Sequence, residues 1–122
     1  MLLEPLVKNN KYEVIKLLFD NGVDSSDPEL FLYSAQEGSY EICSLILEYV
    51  KKSDSSKWNN QTKEKFRRSL KNALILSTSK GDMKLINLLL DNGAEPTNGS
   101  LIEAGKSGNY DMIIKLLELG MK

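Results

Sequence analysis

The chain has 122 residues, 41% hydrophobic and 27% charged, with 16 basic and 17 acidic side chains, no histidine and one cysteine. This length makes one domain able to bury roughly 65% of its unfolded surface, and the composition fits a soluble globular protein. It excludes an internal disulfide, histidine-assisted nucleophiles and the usual zinc ligand sets. With no apolar run near ~18 residues, a membrane-spanning helix is excluded as well.

In chain order, the opening MLLEPLVKNN has neither a basic lead nor a long apolar core, so no signal peptide is expected. With a lone Cys43 and no export signal, the expected home is a reducing, cytoplasmic compartment. LLEPLVKN reads as a first short helix. NKYEVIKLLFDNG follows at residues 10–22, with apolar residues at helical spacing and a final glycine suited to a left-handed cap. Asp27-Pro28-Glu29 is a helix start: Asp27 as N-cap, Pro28 in the first turn, Glu29 beside the positive helix end. It opens ELFLYSAQE, and GSYEICSLILEYV comes next at residues 38–50.

The middle segment, YVKKSDSSKWNNQTKEKFRRSLKN, is polar and basic. Tyr49 and Val50 let the preceding helix run on, and residues 53–60 read as a polar turn. Beyond it, Phe66, Leu70, Ala73, Leu74 and Ser77 follow one helical stripe, while Lys63, Arg67 and Lys71 share another face. The expectation is a lengthened helical hairpin that projects, with Trp58 at or near its tip. LKNALILSTSK leads into GDMKLINLLLDNG at residues 81–93. SLIEAGKS, capped by Thr97 or Asn98, then leads into GNYDMIIKLLELG at residues 108–120.

Residues 10–22, 38–50, 81–93 and 108–120 are four copies of one 13-residue phrase, with aliphatic residues at the fifth, sixth, ninth and tenth places in nearly every copy. That spacing gives one broad inward stripe. A further helix precedes each copy. The residues four and three before the anchor are small in three of them, Ser34-Ala35, Ser77-Thr78 and Ala104-Gly105, which lets neighbouring helices approach; the first copy has Leu6-Val7 there. A helix pair of this kind cannot bury its apolar face alone, so recurrence along the chain implies stacking. Anchors Asn10 and Gly38 lie 28 positions apart and Gly81 and Gly108 lie 27 apart, but Gly38 and Gly81 lie 43 apart. About 15 extra residues therefore fall between the second and third repeats.

NKYEVIKLLFDNGVD and GDMKLINLLLDNGAE resemble the second helix of the ankyrin repeats, typically written G-H-L-E-V-V-K-L-L-L-E-A-G-A-D. The resemblance covers nearly the whole chain, strongly in the second helices and weakly in the first, where the family's T-P-L-H start is absent. Gly22 to Gly38 is 16 positions and Gly93 to Gly108 is 15, against about 21 for a repeat carrying the family's β-hairpin. Abbreviated repeats with little or no hairpin are expected. The resemblance thus implies an all-α, ankyrin-like helical repeat solenoid of about four helix pairs with an elongated hairpin between repeats two and three. Residues 1–122 form one domain, with repeats near 1–26, 27–56, 57–97 and 98–122.

No catalytic, cofactor or metal site is expected. Carboxylates are many but scattered, and Cys43 stands where other copies carry isoleucine, as core filler. The resemblance implies a protein-binding module working through a concave face and inter-repeat loops. By position, its contact residues are Lys8, Asn9, Gln36, Glu37, Ser79, Lys80, Lys106 and Ser107. Charge marks a second surface: residues 51–72 hold eight bases and two acids, and the remainder eight bases and fifteen acids. Such segregation steers acidic partners, with Trp58, Lys63, Arg67 and Arg68 as contacts; the alternative is a plain solvated face. A nucleic acid or anionic surface is the rival partner at this hairpin, and self-assembly through the apolar last helix the third reading. A monomer is preferred to a homodimer. The Lys/Asn-rich texture suits an AT-rich genome of a large DNA virus, intracellular bacterium or protist, where such repeats act on host proteins in the host cytosol or nucleus.

Overall fold

The computed structural model describes residues 3–53 and 58–119. Among them are eight helices and no strand: α1 (Glu4–Lys8), α2 (Tyr12–Asp20), α3 (Pro28–Gln36), α4 (Tyr40–Lys52), α5 (Asn60–Lys80), α6 (Met83–Asp91), α7 (Asn98–Ser107) and α8 (Tyr110–Glu118). They run as first helix, tight turn, second helix, four times over. The expected cap at Gly120, and Asp54 and Lys57 of the basic segment, lie outside the described residues.

One turn recurs in every pair. The anchors Asn10, Gly38, Gly81 and Gly108 all take left-handed backbone, with φ between 53° and 71°. At each, the anchor N–H donates to the carbonyl three residues back and the next N–H donates to the carbonyl five back, as in Ser39 to Ser34 and Asp82 to Ser77. This satisfies the last carbonyls of the first helix. The residue after the anchor then caps the second helix: Ser39, Asp82 and Asn109 accept from the backbone N–H three residues on, while Lys11 offers no cap. The D-N-G phrase has its own logic. Asn21 and Asn92 donate to the carbonyls of Leu17 and Leu88, and Gly22 and Gly93 turn the chain at φ 93° and 91°. Asp27 and Thr97 cap α3 and α7, the latter in a reciprocal box with Ser100.

By contacts the residues fall into two compact units divided between Ser69 and Leu70, inside α5. In the first unit, α1 packs on α2 and α3, and both α2 and α3 pack on α4. Leu30, Phe31, Ile42, Cys43 and Ile46 are fully enclosed, each large side chain contributing roughly 1.5–3 kcal/mol by leaving water. The hairpin is elongated as expected, with 13 residues in α4 and 21 in α5 against nine or ten in α2, α3 and α6–α8. Its α5 arm does not stand clear. The Phe66 ring lies 5.5 Å from Phe31 and 5.8 Å from Trp58, and Ser69 Oγ donates to the Pro28 carbonyl. In the second unit α7 packs on α8, and Lys115 and Asn109 of the last pair reach Asn87 and Met83 of α6.

Burial shows that every repeat has two flanks. One consists of the first small residue with the fifth and ninth places; the other, of the second small residue with the sixth and tenth. The second copy buries Ser34, Ile42 and Ile46 on one flank and Ala35, Cys43 and Leu47 on the other. In the first copy Val7, Ile15 and Phe19 are buried, but Val14 is exposed and Leu6 and Leu18 only half-buried. The last copy is the mirror case: Ala104, Met112 and Leu116 are buried, while Gly105 and Leu117 are exposed. Buried Ser34, Ser77 and Thr78 donate to the carbonyl four residues back in their own helices, so a slim polar residue is enclosed without an orphan hydroxyl.

Candidate partner-binding site

Each first helix ends in the same left-handed turn, so the two residues before each anchor leave the core at an equivalent point. Lys8, Asn9, Gln36, Glu37, Ser79, Lys80, Lys106 and Ser107 are all exposed. Some are occupied locally. Asn9 donates to the Pro5 carbonyl, Ser107 to that of Glu103, and Lys106 lies 3.8 Å from Glu103. In the first unit Lys8 and Glu37 both line a cavity of about 240 Å³, together with Val7, Gly38 and Ser39. Glu37 also acts on Tyr33, whose hydroxyl is held above the ordinary tyrosine range by partial burial and then by the Glu37 and Glu4 carboxylates. The sets 8–9 with 36–37, and 79–80 with 106–107, belong to separate units.

A second cavity, about 270 Å³, shares Asn10 and Glu41 with the first and is completed by Tyr12, Tyr40 and Ser44. Sequence reasoning left these residues unassigned. Their signal is the Tyr-Glu pair at the third and fourth places of the first two copies; the fourth copy has Tyr110-Asp111 and the third Met83-Lys84.

The basic hairpin is arranged differently. Arg67 and Arg68 both reach Glu64, at 2.9 and 3.6 Å, and Lys52 pairs with Glu48 while sitting 5.2 Å above the Tyr49 ring. Lys63 and Lys65 are exposed, and Trp58 is half-buried in an edge-to-face contact with Phe66. A groove of about 560 Å³ is lined by Val23, Asp24, Asp27, Pro28 and Glu29 together with Lys65 of α5. Two of its carboxylates are already engaged, Asp24 by Ser26 and Asp27 by the Glu29 N–H.

No group of three or more metal-ligating side chains occurs among the described residues, and none of their helices is long and apolar enough to cross a membrane. Helix pairs joined by one conserved turn geometry, with loops too short for a hairpin, define a helical-repeat protein. The family model for ankyrin repeats, in three copies, matches residues 6–98. The chain therefore belongs to the ankyrin-repeat family, whose members are generally protein–protein interaction modules. The fourth helix pair, α7 and α8, lies almost wholly beyond the matched residues yet uses the same turn and cap. No curated protein and no solved structure matches the chain.

Proposed function

We propose that this chain is a non-enzymatic binding module that holds a partner protein by the turn ends of its helix pairs. The observation that carries the reading is the exposure of all eight pre-anchor side chains on a turn whose backbone is the same each time. A turn fixed by two hydrogen bonds and a capped helix needs little ordering on binding, so contacts made there are not offset by lost chain entropy. Composition adds that a host protein of a pathogen is the partner class to try first.

The test is capture of proteins by the immobilised full chain at moderate salt. Glu37→Lys with Lys80→Glu is expected to release the partner, while reversal of Lys63, Arg67 and Arg68 leaves it bound. Retention by the first variant and loss from the second would move binding to the hairpin. The hairpin reading rests on α5, where Lys63, Lys65, Arg67 and Arg68 share one acid, Glu64. If its partner were nucleic acid, affinity would fall steeply and log-linearly with salt.

A further inference from the structure

We infer that the cavity between Tyr12 and Tyr40 is a subsite for one arginine side chain of the partner protein, with Glu41 as its counter-charge; this rests on the turn-end reading above and names the chemistry of one of its contacts. Two half-buried tyrosines of successive repeats line a space of about 270 Å³, and a carboxylate stands in the same wall. Glu41 is exposed and makes no ion pair or hydrogen bond among the described residues, and the Tyr12 hydroxyl has no partner among them either. Glu41 and the Tyr12 hydroxyl are therefore not consumed by internal contacts, unlike Asp24 and Asp27 of the larger groove, which hold the local backbone.

A guanidinium is the group that uses both features. Its plane lies on an aromatic face, where the ring quadrupole attracts the cation, while its edge N–H groups donate to a carboxylate. In the adjoining cavity Lys8 is matched in charge by Glu37 of the same lining, so Glu41 leaves the pair of cavities with a net negative charge. That charge repels phosphate and so argues against nucleic acid at this point. The third copy, with Met83-Lys84, has neither the ring nor the acid, so the subsite belongs to the junction of the first two repeats.

The probes are Nα-acetyl-arginine amide and its neutral isostere Nα-acetyl-citrulline amide, titrated into the full chain and followed by amide chemical shifts. Arginine amide should give saturable shifts confined to Asn10, Tyr12, Tyr40, Glu41 and Ser44, and citrulline amide none. Glu41→Gln, and Tyr12→Leu, which keeps apolar bulk, should each weaken binding roughly tenfold with the thermal melt unchanged. Equal shifts from both probes, shifts elsewhere, no shifts, or an unaltered affinity in Glu41→Gln would overturn the subsite. A captured partner that Glu37→Lys releases but Glu41→Gln does not would also overturn it, while sparing the turn-end reading.

Discussion

At the level of single residues, size and backbone decide separate questions. Ala35 is enclosed and Gly105, at the same place of the motif in the last copy, is open, with nothing within 4 Å of where a Cβ would sit. Ala35→Leu should therefore cost about 1–3 kcal/mol by overpacking, whereas Gly105→Ala should stabilise by roughly 0.5–1 kcal/mol, since its helix loses a flexible residue and gains no clash. Urea titration of both variants checks the pair. The sequence marked both positions as small. It could not distinguish them, because a small residue reports that a neighbour is tolerated, not that one is present. Electrostatics adds a second prediction. The Tyr49 hydroxyl donates to Asp20, which also pairs with Lys16 at 3.1 Å. The Tyr49 bond, then Lys16, holds the Asp20 carboxyl below the usual range, and the same bond holds Tyr49 above its own. Asp20's contribution is thus present above the ordinary carboxylate range and lost as pH falls through its lowered pKa; Tyr49's is present below the ordinary phenol range and lost as pH rises through its raised pKa. In Tyr49→Phe, the Asp20 carbon resonance should titrate at higher pH, toward an ordinary aspartate; an unchanged midpoint would assign the shift to Lys16 instead.

At the level of elements, helix existence and type were legible because each copy carries its own stripe, cap and stop. Phe66, Leu70, Ala73, Leu74 and Ser77 are all buried along α5, as their spacing predicts. What the spacing did not say is where the extra turns of that helix would rest. That depends on Phe31 and Pro28, 35 and 41 residues away from their partners Phe66 and Ser69, and local periodicity carries no such distance information. The expected projecting hairpin is accordingly replaced by an arm lying on α3. Phe66→Ala should cost about 3–5 kcal/mol, because it removes the ring that both Phe31 and Trp58 touch. Quenching of Trp58 fluorescence by iodide should rise in the same variant before global unfolding. An arm that stood free would show neither effect.

For the whole molecule, charge and end flanks set the behaviour in solution. The overall charge of −1 conceals a basic 51–72 segment within an acidic remainder, so association with an acidic partner would slow as salt rises. Val14 in the first copy and Leu117 in the last, each on one flank of its repeat, are exposed, as are Leu17 and Ile114 beside the flank places in sequence. Sedimentation over a concentration range should still give one monomer species; mass that climbs with concentration, and falls back in Leu117→Glu, would assign the last flank to self-assembly. The binding surface was legible only as positions in a repeat. Tyr12, Tyr40 and Glu41 escaped because a third-place tyrosine has the same pattern as a core residue until two copies are placed side by side. Hydrogen–deuterium exchange on the complex with a captured partner tests the turn-end account most directly. It predicts slowed exchange at residues 8–12 and 36–41 and at the later turns 79–81 and 106–108, with α5 from 60 to 68 unchanged. Protection confined to 60–68, or to the outer face of α8, would contradict it.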